Sequence, residues 1–183
     1  MLILGEGELA FTQLIKMYLE EGKDSKKVRL RINELGNCFY INEQRQLVSG
    51  PQFSRIKHLD DVPSPYITGL FDHFLEDDSY QPLIQTNRGC PYKCTYCASP
   101  FHWDRKTTRL RSPESVLEEM HYLKDNYYVP YKFDYAASAN KEEKDQLKIE
   151  DNTIVYFVDD VFTVHKKRVK KMLRMMIKDN LKM

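Results

Sequence analysis

Gly89-Cys90-Pro91-Tyr92-Lys93-Cys94-Thr95-Tyr96-Cys97 places three cysteines at the spacing C-x-x-x-C-x-x-C, just after the apolar pair Leu83-Ile84. Three of the chain's four cysteines stand in this stretch. Thiolates this close repel one another as anions, so the spacing predicts neutralisation by a metal ion or an iron–sulfur cluster. A structural zinc site normally closes with four protein ligands, whereas three ligands leave a position at which something small can bind and be activated. The plainer reading of the same residues is a zinc knot completed by His102 or by Cys38. On the residues alone both readings stand.

Working outward, residues 83–86 (Leu-Ile-Gln-Thr) read as a strand that feeds the cysteine loop. Beyond it come Phe101, His102 and Trp103, then the basic residues Arg105, Lys106, Arg109 and Arg111. Ser112-Pro113-Glu114 is a helix start, with a hydroxyl cap, a proline at the first helical position and an early acid at the positive end of the dipole. The helix carries Val116, Leu117, Met120 and Leu123 on one side. Residues 130–152 are charged and poorly patterned for burial, which predicts a long loop or an exposed helical excursion. Ile154-Val155-Tyr156-Phe157-Val158 is a continuous apolar run, as expected of a parallel strand covered on both faces. It ends at Asp159-Asp160, and carboxylates at that end of a strand point to the rim where α/β sheets and barrels bind ligands. A last helix is expected to turn Val169, Met172, Leu173, Met176 and Ile177 inward. Its residues Lys166, Lys167, Arg168, Lys170, Lys171 and Arg174 would face solvent.

Ahead of the loop, residues 2–4 suggest a short buried strand, and Gly5-Glu6-Gly7-Glu8 turns it into a helix bearing Leu9, Leu14, Ile15, Tyr18 and Leu19, closed by Gly22. With Ala10 the turn satisfies G-x-G-x-x-[GA]. Glu6 and Glu8 would oppose a pyrophosphate there, so a strand-to-helix turn is the better reading than nicotinamide or flavin binding. Residues 28–32 and 38–41 have strand composition; a polar turn over 43–46 and a return strand at Leu47-Val48 complete a small hairpin. Cys38 reads as a half-buried filler. Pro63 and Pro65 hold a linker extended, and Phe71, Phe74 and Leu75 suggest a helical turn. A chain that opens on a buried strand with no earlier strand to pair it suggests a missing upstream part.

The full chain has 183 residues, 42% of them apolar, enough for one domain or two small ones. Its formal net charge of +1 gives no general reason to expect nucleic acid or an anionic membrane. The cysteine pattern is not a disulfide framework and fits a reducing compartment, the cytoplasm by default. No transmembrane segment or signal peptide is expected.

Strand, cysteine loop, helix, strand with terminal carboxylates, helix describes two βα units. On that order, Cys90-x-x-x-Cys94-x-Tyr96-Cys97 resembles the signature loop of the radical S-adenosylmethionine (radical SAM) enzymes. Leu4-Gly5-Glu6-Gly7-Glu8, Leu59-Asp60-Asp61-Val62-Pro63-Ser64-Pro65-Tyr66 and Phe157-Val158-Asp159-Asp160-Val161-Phe162-Thr163 are similar to stretches of the class with a cobalamin-binding domain ahead of the radical domain.

The resemblance implies an α/β fold, namely the first two βα units of a partial barrel. Ahead of them would stand a remnant of a doubly wound cobalamin-binding-like domain over residues 1–24 and a hairpin and linker over 25–80, with the radical core over 81–183. It implies a four-iron, four-sulfur (4Fe-4S) cluster on Cys90, Cys94 and Cys97, with S-adenosylmethionine on the open iron. Tyr96 would lie near the adenine, and Asp159 or Asp160 at the methionyl amino group. Reductive cleavage to a deoxyadenosyl radical would follow, with methyl transfer or related radical chemistry on a small-molecule or unknown substrate and a flavodoxin or ferredoxin as electron donor. Cobalamin would require upstream sequence, since no D-x-H-x-x-G motif occurs. On this resemblance the chain is a piece of a longer enzyme. The reading from another class is a non-catalytic zinc or iron–sulfur interaction module.

Overall fold

A computed structural model of the chain describes residues 1–52, 55–77, 79–92, 94–97, 108–127 and 155–181. The 130–152 excursion, His102, Arg105, Lys106 and Ile154 lie outside the described residues. Two compact units are formed, Met1–Lys57 with Tyr92–Arg105, and His58–Pro91 with Lys106–Met183.

In the first unit, β1 (Leu2–Ile3) leads through Gly5, whose φ of +75° favours glycine, into α1 (Gly7–Glu20). The helix ends as expected, with Gly22 at φ +66° and the Lys23 N–H donating to the Tyr18 carbonyl at 2.8 Å. Residues 28–32 are not a strand. The Asp24 side chain accepts from the N–H groups of Lys26 (2.9 Å) and Lys27 (3.4 Å) and so caps α2 (Ser25–Leu30), which runs into a 3-10 turn at Ile32–Glu34. A capped start outweighs the β-branched composition. The expected hairpin is present as β2 (Cys38–Ile41) and β3 (Leu47–Ser49), its turn closed by the Gln46 N–H on Asn42 Oδ1.

β1 pairs with β2, antiparallel, as the edge of the order β1-β2-β3, and Leu2 is exposed. The expected buried strand is thus a solvated edge. The antiparallel pairing is also not the parallel one that a dinucleotide fingerprint requires. The plain strand-to-helix turn is what stands at Gly5–Gly7. Ala10, Met17, Val28, Leu35 and Cys38 form this unit's core, whereas Leu9, Ile15 and Leu19 of the apolar positions are exposed.

The second unit opens with a 3-10 turn (Leu59–Asp61) and α3 (Asp72–Leu75). Tyr66 is buried between them in sequence, and its hydroxyl donates to the Leu83 carbonyl at 3.0 Å while accepting the Leu83 N–H at 2.9 Å. Burial pushes its pKa up. That pair of bonds anchors the start of β4 (Leu83–Ile84), followed by β5 (Asn87–Arg88), β6 (Arg109–Leu110) and α4 (Pro113–Asn126).

α4 is capped as expected, with Ser112 Oγ accepting the Ser115 N–H at 3.1 Å and Pro113 in the first turn. Asp60 adds a strap, accepting the Ser112 N–H at 2.9 and 3.2 Å. Val116, Leu117, Met120 and Leu123 are buried, as their spacing predicts. β7 (Tyr156–Phe157) pairs parallel with β4, in the register Leu83 with Tyr156 and Ile84 with Phe157. The expected parallel direction holds, but Tyr156 and Phe157 are only half-buried and Val158 is exposed, so the strand is not covered on both faces.

α5 (Lys166–Lys178) packs on α4, Met172 sits in the core they share, half-buried Met175 and Met176 join it, and Val169 is also buried. Leu173 and Ile177, expected inward, are exposed; Arg168, expected outward, is half-buried.

Candidate functional site

The parallel pair brings the end of β7 beside the end of β4. Past the ladder, the Val158 N–H donates to the Ile84 carbonyl at 3.0 Å, which sets Asp159 against Thr86. Asp159 Oδ1 accepts the N–H groups of Thr86 (2.6 Å) and Asn87 (3.0 Å), and Oδ2 accepts the Thr86 hydroxyl (2.5 Å). A carboxylate taking three such bonds is committed to the backbone turn it holds. Asp160, one residue on, is exposed.

β5 pairs antiparallel with β6, Asn87 opposite Leu110 and Arg88 opposite Arg109. Residues 89–108, cysteines included, are therefore the connection of a ladder only two residues long. The Arg111 N–H extends the ladder by donating to the Thr86 carbonyl at 2.9 Å. Arg168, in the first turn of α5, reaches across this neck. Its Nε donates to the Arg111 carbonyl (2.7 Å), Nη1 to Thr86 Oγ1 (3.2 Å) and Nη2 to the Thr86 carbonyl (3.1 Å). Burial pushes the Arg168 guanidinium below its usual pKa, and the Asp159 charge opposes that shift. Beneath the neck, Arg111 Nη1 pairs at 2.5 Å with Glu119, a carboxylate only 2% exposed that also accepts the Ser64 hydroxyl.

The loop leaves the neck through Gly89, buried and at φ +106°, where a side chain would be strained. Cys90 and Cys97 are half-buried and Cys94 is exposed; all are free thiols. The Cys97 N–H donates to the Cys94 carbonyl at 3.2 Å, turning the chain through Thr95 and Tyr96, and Tyr96 is 91% exposed. Cys38 is buried in the core of the first unit and burial pushes its thiol up, as suits a filler. His121 pairs with Asp179 at 3.2 Å and His165 is exposed, both ordinary boundary residues.

Among the described residues no three His, Cys, Asp or Glu side chains converge at metal-binding distance. The fit to a cluster rests on the donor set, three reduced thiols on one short connection. Asn87, 1% exposed, donates through Nδ2 to the Val161 carbonyl at 3.2 Å, while its Oδ1 has no partner among the described residues. Such an acceptor suits a ligand that brings its own donor.

Thr86, Asn87, Arg111 and Arg168 are the residues that sequence reasoning misses. Arg168 carries one legible signal: it precedes Met172 by one helical turn and so shares the buried stripe of α5. Thr86 and Asn87 carry none, because a polar pair at a strand end reads as a turn.

The model of the radical SAM superfamily matches residues 84–134, from the last residue of β4 through the neck and the cysteine loop to beyond α4. An uncharacterized methyltransferase of Pyrococcus horikoshii is 28% identical over 167 residues, 91% of this chain and 29% of the relative. The cobalamin-dependent radical SAM methyltransferase TokK of Streptomyces tokunonensis is 33% identical over 98 residues, 51% of this chain and 13% of TokK. A 2-(S-pantetheinyl)-carbapenam-3-carboxylate methyltransferase of Streptantibioticus cattleyicolor is 29% identical over 133 residues, 68% of this chain and 18% of the relative. The chain thus spans less than a third of each of these relatives.

The solved structure of the cobalamin-dependent S-adenosylmethionine radical enzyme OxsB with aqua-cobalamin bound aligns with a TM-score of 0.60 at 18% identity, over 95% of this chain and 20% of that one. At that identity the likeness is one of α/β fold. The family match over residues 84–134 and the likeness to TokK make the chain similar to the radical S-adenosylmethionine superfamily, in its cobalamin-dependent branch.

Proposed function

We propose that Cys90, Cys94 and Cys97 hold a 4Fe-4S cluster with S-adenosylmethionine on its open iron, and that this chain is the corresponding part of a methyl-transferring radical SAM enzyme. The observation that carries the reading is the coincidence of three free thiols at C-x-x-x-C-x-x-C with the family match over residues 84–134. When bound, such a cluster supplies one electron to S-adenosylmethionine, breaking a carbon–sulfur bond to give methionine and a 5′-deoxyadenosyl radical.

The chain's own residues supply the holding. Gly89 gives the backbone its left-handed turn into the loop, and the thiols, unpaired with one another, are available as thiolate ligands. Tyr96, exposed beside Cys97, is proposed for the adenine. Asp160, exposed one residue after Asp159, is proposed for the methionyl amino group.

In this reading residues 1–24 end a cobalamin-binding-like domain, 25–80 form the hairpin and linker, and 81–183 begin the radical core. Cobalamin would belong to the longer protein, and OxsB, of which this chain spans 20%, is a structure with aqua-cobalamin bound. A small-molecule substrate, a flavodoxin or ferredoxin donor and a reducing, cytoplasmic setting complete the proposal. No helix among the described residues is long and apolar enough to cross a membrane.

Anaerobic reconstitution with iron and sulfide tests it. About four irons per chain and a reducible paramagnetic cluster are expected, perturbed by added S-adenosylmethionine, and Cys94→Ala should abolish uptake. Stoichiometric zinc with no cluster would leave the non-catalytic zinc module as the better reading. Full iron content in Cys94→Ala would remove that cysteine from the ligand set.

A further inference from the structure

The polar residues around the neck of the cysteine loop come from the element that follows it in sequence. β4 and β5 carry the loop, yet the groups that close its base are Asp159, after β7, and Arg168, at the start of α5. Asp159 takes the two N–H groups on the entering side, at Thr86 and Asn87. Arg168 takes the carbonyl of Thr86 on the entering side and that of Arg111 on the leaving side. The Thr86 hydroxyl joins the two, accepting from Arg168 and donating to Asp159, and Thr86 is 0% exposed. A ladder of two residue pairs is too short to fix the trajectory of a connection of this length by itself. The fork of a guanidinium and a bidentate carboxylate do so by holding backbone groups on both sides of the neck.

We infer that Asp159 and Arg168, linked through Thr86, are positioning residues that clamp the neck of the cysteine loop, so that the second βα unit sets the course of the backbone that leads into Cys90. The inference rests on the reading of the loop's thiols as cluster ligands and adds a role for residues that do not themselves touch the cluster. It also assigns Asp159 to loop geometry and away from direct ligand contact. The clamp gives the second βα unit a function even before any ligand arrives: β7 and α5 pre-organise the backbone leading into Cys90.

The test compares the parent chain with Thr86→Val, which keeps the shape and removes the hydroxyl, Asp159→Asn, and Thr86→Ser as the conservative control. Two readouts need no cluster. Amide exchange at Asn87 and Arg111 should rise by about tenfold or more in Thr86→Val and Asp159→Asn, while the amides of Leu117, Met120 and Leu123 in α4 keep their protection. Alkylation of half-buried Cys90 should accelerate by about the same factor while that of Cys38, buried in the other unit, does not change. Thr86→Ser should behave as the parent in both.

After anaerobic reconstitution, the two disruptive variants should lose iron to a chelator about tenfold faster than the parent and show an altered cluster EPR spectrum. Exchange that accelerates equally in α4 and the neck would make the clamp an ordinary stabilising contact and overturn the inference. So would local loosening accompanied by parent-like iron retention and spectrum. If the parent itself assembles no cluster, the proposed function fails, and the inference then stands or falls on whether neck exchange and Cys90 alkylation change together in the apo chain.

Discussion

α1 and α4 are both fourteen residues long, and they are built on opposite plans. α1 is the more apolar in sequence, with Leu9, Phe11, Leu14, Ile15, Met17 and Leu19, yet only Ala10 and Met17 are buried and its N-cap residue Glu6 makes no side-chain cap. α4 mixes its apolar residues with Glu114, Glu118, Glu119, His121, Lys124 and Asp125, yet buries Val116, Leu117, Glu119, Met120 and Leu123. The difference teaches that apolar content does not decide how firmly a helix is held here. α4 is specified by polar anchors at chosen points: the Ser112 cap, the Asp60 strap on Ser112 and the Arg111–Glu119–Ser64 network beneath the neck. Polar groups buried and satisfied in this way fix one arrangement, because any other leaves them unpaired.

The sharpest way to break the comparison is to remove the polar anchor and keep the apolar face. Glu119→Ala leaves the Arg111 guanidinium, whose side chain is 13% exposed, without its carboxylate. Removing one partner of so buried a pair costs about 3–5 kcal/mol, more than truncating most of the apolar neighbours. Urea unfolding should show that loss as a lower midpoint with an unchanged slope. Replacing both partners together, Glu119→Leu with Arg111→Met, should recover most of it. A single-variant loss below about 1 kcal/mol would mean that packing, and not the ion pair, organises α4.

The cap is a smaller lever at the same helix. Ser112→Ala removes the acceptor for the Ser115 N–H but leaves Asp60 on the Ser112 N–H, so about 1 kcal/mol is expected. A double variant with Asp60→Ala should lose more than the sum of the two changes if strap and cap compete to hold one turn, and their simple sum if each acts alone.

How much of this can be read from the residues follows the same division. The α4 cap, its buried stripe, the hairpin around residues 42–46 and the parallel strand before Asp159 are all legible, because each is written in local periodicity or in a single cap residue. Residues 28–32 read wrongly as a strand when β-branched composition is weighed without the Asp24 cap four positions earlier. The cysteine loop is legible as chemistry but not as geometry, since spacing names a donor set and says nothing of the neck beneath it. Thr86 and Arg168 are separated by 82 positions and joined only by the β4–β7 pairing, so their bond belongs to tertiary structure and not to any window of sequence. Arg168 also shows why a run of basic residues is a poor guide to exposure: one of them points at backbone carbonyls, where a guanidinium fork has value that a solvated lysine does not.

The smallest expected effect sharpens the comparison from the side of α1. Leu19 is 57% exposed on that helix, so Leu19→Ala removes little buried area, and alanine's higher helix propensity offsets part of what is lost. The change should lie within about 0.5 kcal/mol, against several for the buried positions of α4. The measurement is again the urea midpoint, repeated across a wide range of protein concentration. A loss above about 1 kcal/mol would show that the outer face of α1 is covered in solution, because an exposed leucine has no contacts of that worth to lose. If that loss also grew with concentration, the cover would be a second copy of the chain, since only an associating partner makes stability depend on concentration. A small, concentration-independent change would confirm that Leu19 contributes surface and not core, with α1 held by Ala10 and Met17 and by half-buried Leu14 and Tyr18 packed against their cluster.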